Sequence, residues 1–133
     1  MRVVLVAAAL AATACGEDPK PPAPTLSPAQ RQVASVAEAF VHALGRHDWT
    51  AACATRSYDD HLALARQAGT CERGLEQAFT GKDVALVART VAGRVAIAGD
   101  KAVVDMVQRG AKRTRLRLFA VRESGQWLLE DLR

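Results

Sequence analysis

Residues 94–108 read RVAIAGDKAVVDMVQ, and this stretch decides the fold. Apolar and polar residues alternate on both sides of Gly99-Asp100, so that successive side chains fall on opposite faces of an extended chain. Two alternating runs joined by a two-residue, glycine-containing link predict a β-hairpin, Arg94–Ala98 followed by Lys101–Gln108. The pattern carries on downstream. Lys112–Arg122 follows Arg109-Gly110, and Gln126–Leu132 follows Ser124-Gly125. Short turns of this kind join antiparallel neighbours, so the C-terminal half is expected to be a meander of about four strands.

Upstream the period is helical. Ser27-Pro28 is a hydroxyl cap followed by proline at the first helical position. Val33, Val36, Ala37, Phe40 and Leu44 then form one stripe, with Gly45 as the stop. Asp48 is placed to cap a short helix containing Trp49, Ala52 and Cys53. Tyr58 to Ala68 reads as a third helix, with Leu62 and Ala65 inward and Gly69 at its end. Thr70 is placed to cap a fourth, from Cys71 through Leu75 to Phe79. Val84 to Val91 reads two ways, as a helix capped by Asp83 or as a strand. Helices first and a meander second define the α+β class, with the helices packed on one face of the sheet.

The chain has 133 residues, of which 50% are hydrophobic and only 5% aromatic. That is one domain, residues 28–133, with a core of Val, Leu and Ala. The net charge is +4, which bears on solubility and weak steering rather than on nucleic-acid binding.

The N-terminus reads as a leader. Arg2 precedes an unbroken apolar run, Val3 to Ala12, too short for the roughly 20 residues that a membrane span needs. Such a run behind a cation is a signal-peptide h-region. Ala12-Thr13-Ala14-Cys15 follows and resembles the lipobox of bacterial lipoproteins, with Ala12 where leucine is usual. The same three residues also form an A-x-A site for ordinary signal peptidase. Cysteine arithmetic favours the lipoprotein: three cysteines leave one over in an exported chain, and a lipidated Cys15 leaves Cys53 and Cys71 as a pair. Residues 1–14 are then the signal peptide, and Cys15 carries the lipid, palmitate included, that anchors the protein to the cell membrane on its extracytoplasmic side. All five prolines lie between Pro19 and Pro28, so residues 15–27 form a Pro-rich tether that holds the domain off the bilayer.

An oxidising compartment suits a Cys53–Cys71 disulfide stapling the helical layer. A redox thiol pair is the sharper alternative, but there is no C-x-x-C. His42, His47 and His61 are the only histidines, and no cysteine or carboxylate stands at metal-ligand spacing around them, so no metal is expected. Asp59, Asp60 and His61 at a helix start are accounted for by the helix dipole. Asp105 lies mid-strand and is the one candidate catalytic residue. The turn at Arg109-Gly110 would set it opposite Thr114 or Arg115, and a pair with a cation there is the simpler expectation. Arg109, Lys112, Arg113, Arg115 and Arg117 are five cations in nine residues with no acid among them. Arg113, Arg115 and Arg117 alternate with leucines, so one strand face is a candidate contact for anionic lipid heads, wall polymers or an acidic partner. Interleaved aromatics for nucleic acid are missing.

Helices leading into an antiparallel sheet resemble the nuclear-transport-factor-2-like, SnoaL-like or cystatin-like α+β fold. The local matches are FVHALGRHDWTAAC (40–53), the later Cys71, GDKAVVDM (99–106) and GQWLLEDL (125–132). The resemblance implies a cone of helices on a curved sheet, of the kind small actinobacterial-type lipoproteins carry. That fold hosts isomerases, dehydratases, hydrolases and many non-enzymes, so it does not dictate function. Three expectations follow, in order. The first is a non-enzymatic envelope module without cofactor, binding an envelope protein or anionic surface polymer. The second is a carrier of a small apolar ligand in a cavity lined by Phe40, Phe79 and the tryptophans, although the same residues would equally fill a core. The third is an enzyme of the SnoaL-like or ketosteroid-isomerase-like type with Asp105 as base.

Overall fold

A computed structural model describes residues 25–82, 84–109 and 113–130. The signal peptide, Cys15, most of the tether, Asp83, Lys112 and Leu132 lie outside the described residues. Five helices, α1 (Pro28–Gly45), α2 (Trp49–Ala54), α3 (Tyr58–Ala68), α4 (Cys71–Phe79) and α5 (Val84–Ala88), precede four strands, β1 (Thr90–Ala98), β2 (Lys101–Gln108), β3 (Thr114–Glu123) and β4 (Gln126–Glu130). The strands form an open antiparallel sheet in the order β1-β2-β3-β4. This is the α+β meander expected. None of the described helices is long and apolar enough to cross a membrane.

Local chemistry sets the helix starts. Ser27 and Gln30 form a capping box at α1: the Ser27 hydroxyl accepts from the Gln30 amide at 3.2 Å, and the Gln30 side chain accepts from the Ser27 amide at 2.8 Å. Asp48, Ser57 and Thr70 cap α2, α3 and α4 in the same way. Two expectations change. Gly45 is the last residue of α1, and it is a close-approach residue rather than a left-handed stop: a Cβ there would lie 2.4 Å from the Cβ of Ala88 in α5. The positive φ falls later, on His47 at 54°. In α3 no residue is fully buried, and Leu64, not Leu62 or Ala65, packs against the core. Leu64 fits there because Gly74 of α4 leaves room, a Cβ at that position falling 2.8 Å from the Leu64 Cβ. The ambiguous stretch resolves into both readings in turn, with α5 ending at Ala88 and β1 starting at Thr90.

The hairpin links follow the turn rules. Gly99 takes φ 60°, as a glycine at the first position of a two-residue link does. Ser124 and Gly125 both have positive φ, 50° and 78°, the pattern of a type I′ turn. Two register shifts interrupt the ladder. One lies between Ala92 and Val95 of β1, where Gly93 and Arg94 together face Asp105. The other lies where Met106 pairs with Leu116 and Val107 with Thr114, leaving Arg115 as the extra residue of β3.

The core lies between α1 and the sheet. Phe40, Leu44, Leu75, Met106, Leu118 and Leu129 are among its fully buried side chains, and Phe40 meets Phe79 edge to face at 6.1 Å. Both outer strands are tied back to the chain. On β1, Glu38 of α1 accepts from the Ala92 amide at 3.0 Å, and the Gln30 side chain donates to the Val95 carbonyl at 3.1 Å. Beyond β4, the Ser57 amide donates to the Leu129 carbonyl at 2.6 Å and the Leu129 amide to the Thr55 carbonyl at 2.7 Å.

Candidate functional site

Asp105 projects from the face of β2 opposite to the buried Val104 and Met106. Its partner is Arg117, not Thr114 or Arg115, because the ladder already pairs Val107 with Thr114 and the extra residue at Arg115 then shifts the register by one more. Arg117 Nε donates to Asp105 Oδ1 at 2.7 Å. That hydrogen bond, and then the carboxylate charge, hold the guanidinium more firmly protonated than usual. The Asp105 side chain is 15% exposed and that of Arg117 57%. The candidate base is therefore one half of a cross-strand ion pair, and it lines none of the three surface depressions described below.

The cationic strand divides by partner. Arg117 is committed to Asp105. Arg115 donates to Gln108 Oε1 at 3.2 Å. Arg113 has no hydrogen bond or ion pair among the described residues. Around the same end of the sheet, His42, Arg89, Thr90, Gln108 and Arg109 line a depression of about 380 Å³. No carboxylate stands in that lining. Sequence reading missed Arg89 and His42 here, since only the return of α5 into β1 and the run of α1 beside it bring them to the hairpin.

Two further depressions are shallow grooves on the surface. One, of about 400 Å³, contains Trp49, Phe79 and Val84, with His47 stacked on Trp49 at 5.6 Å. The other, of about 370 Å³, contains Val36 and Trp127. Phe40 is wholly buried in the core.

On the helical side, Cys53 of α2 and Cys71 of α4 form the expected disulfide, with Cα atoms 6.1 Å apart. Cys71 is the first residue of α4, where aligned peptide dipoles favour negative charge. The third group was not anticipated. One nitrogen of His61 lies within 4.8 Å of both sulfurs. The sequence hides this because the three residues sit on three different helices, with no short spacing between them. Asp60, the neighbour of His61, turns the other way and binds Arg56 through both Nε and Nη2. Arg56 is itself buried, lies over the Phe40 ring at 5.3 Å, and leaves Nη1 without a partner among the described residues.

No protein-family model, curated protein or solved structure matches the chain.

Proposed function

We propose that the protein is a non-enzymatic binding module of the cell envelope, held by lipid on Cys15, whose cationic end engages the anionic head groups of the membrane that carries it. One observation carries the reading: the interior between helices and sheet is occupied by side chains packed against each other, while unneutralised cations collect at one end. The SnoaL-like alternative, with Asp105 as base, has less support, because that carboxylate already accepts from Arg117. The apolar-carrier alternative has less support because Phe40 is wholly buried and Phe79 nearly so.

The tether makes the contact geometrically feasible. Thirteen Pro-rich residues reach roughly 40 Å. The α1 helix has 18 residues, roughly 27 Å of length. Gln30 at its start meets Val95, and His42 near its end shares a depression with Thr90. The cationic end thus lies one helix length from the tether, within its reach.

The test uses the full chain with Cys15→Ser, removing the lipid, and vesicles of phosphatidylcholine with or without phosphatidylglycerol. Binding to the anionic vesicles alone is expected, weakening as salt rises. Each arginine near such a surface contributes about 1 kcal/mol, so neutralising Arg109, Arg113 and Arg115 together should weaken binding roughly a hundredfold. Equal binding to neutral vesicles, or an unaffected triple variant, would refute the reading.

A further inference from the structure

The disulfide and its neighbouring histidine form a second feature, independent of the cationic end. Cys53 Sγ, Cys71 Sγ and a nitrogen of His61 lie within 4.8 Å of one another. Cys53 and Cys71 are buried, whereas His61 is exposed. The His61 ring makes no hydrogen bond to another described residue. Its carboxylate neighbour Asp60 is occupied by Arg56, so nothing on α3 draws the imidazole away from the sulfurs. A staple alone needs no imidazole beside it.

We propose that, once the disulfide is reduced, Cys53, Cys71 and His61 become a three-ligand site for a thiophilic divalent cation of the Zn²⁺ type. Two thiolates and one imidazole are a set such a cation takes in four-coordinate sites, with a fourth position left for water or an external ligand. Donor atoms around tetrahedral zinc stand roughly 3.5–3.8 Å apart. The three groups reach that spacing by side-chain rotation: the Cα atoms of the cysteines are 6.1 Å apart, and His61 is at the surface and free to turn inward. The exposed histidine also marks the side from which the cation arrives.

The chemistry balances with a named reductant. A dithiol gives two electrons and two protons to the Cys53–Cys71 bond, leaving two thiols on this chain and a disulfide on the dithiol. The cation then displaces both thiol protons, forms two metal–sulfur bonds and accepts the lone pair of the imidazole nitrogen. A small-molecule disulfide reverses the sequence: it takes two electrons from the two thiolates, takes up two protons and leaves as the dithiol, while the Cys53–Cys71 bond closes and the cation is released, so the site exists in one redox state only.

The test uses the full chain with Cys15→Ser, so that no third thiol competes. It is reduced with a water-soluble phosphine, which takes up oxygen from water as the disulfide becomes two thiols, and is titrated with Co²⁺ as the spectroscopic stand-in for Zn²⁺. One equivalent should bind with the absorption bands of thiolate-ligated tetrahedral cobalt. The oxidised protein should show none. Loss of a supporting group around a metal ligand already costs about 10–100-fold in affinity, so His61→Ala should weaken binding by at least about a hundredfold, with a changed spectrum. Circular dichroism runs alongside: if reduction unfolds the chain, one equivalent of Zn²⁺ should restore the helical signal. Absence of binding to a folded reduced chain, failure of Zn²⁺ to refold an unfolded one, or equal affinity in His61→Ala would each overturn the proposal.

Discussion

Of the three Arg–Asp pairs among the described residues, two lie in opposite settings. Arg56–Asp60 lies in the helical half, with side chains only 4% and 14% exposed and the guanidinium over Phe40. Arg117–Asp105 lies on the face of the sheet away from the core, and its arginine is 57% exposed. The carboxylates are equally shielded, at 14% and 15% exposed, and only the solvent around the guanidinium differs. A charge taken out of water must be matched on the spot, because an unmatched buried charge costs several kcal/mol. A charge at the surface is served by water whether its partner is present or not. The inner pair is thus a point at which the fold is vulnerable, and the outer pair is an adjustment of surface charge.

Removing the inner carboxylate gives the sharpest contrast. Asp60→Ala strands Arg56 and is expected to cost about 3–5 kcal/mol, read as a fall in the urea midpoint. Converting both residues together, Arg56→Met with Asp60→Leu, should recover most of that loss, since a well-packed apolar pair replaces a buried ionic one with little penalty. If the single variant is as stable as the parent, the inner pair is no more consequential than the outer one.

The next effect belongs to the same helical half. Cys53→Ser opens the bridge between residues 18 apart and should cost about 3 kcal/mol through the freedom returned to the unfolded chain. Unchanged thermal stability in that variant would remove the staple from the account.

The smallest effect is expected on the sheet. Asp105→Asn should leave the urea midpoint close to that of the parent, at low and at high salt. A large drop would mean that the sheet face is covered by something that excludes water, and the contrast between the two pairs would vanish.

The same contrast shows what the sequence could reveal. Strand β2 was legible residue by residue because its alternation is unbroken from Lys101 to Val107. The first turn of β1 was not, because Gly93 and Arg94 share one position of the ladder and reverse the inward parity between Ala92 and Val95. The ladder pairs Val107 with Thr114, two positions beyond what a link at Arg109-Gly110 would set, and the extra residue at Arg115 adds one more, so that Asp105 meets Arg117. A period-two reading counts residues, and a bulge adds one that the count does not see. Helix starts were legible because each cap is a local hydrogen bond within three residues. Gly45 was not, since its cause is Ala88, more than forty residues on. The approach of His61 to the disulfide and of Arg89 to the hairpin are of that second kind: they depend on how helices lie against one another, which no spacing along the chain encodes.

The tied outer strands have one more consequence. Under the proposed lipid anchor, copies would share a plane, where crowding far exceeds that in solution, and an unpaired strand there would be a standing invitation for neighbours to zip together through their backbones. Here Gln30 and Glu38 occupy the rim of β1, and residues 55–57 occupy that of β4. Under the proposed anchor, these ties shorten the run of strand backbone that one copy could offer to the next.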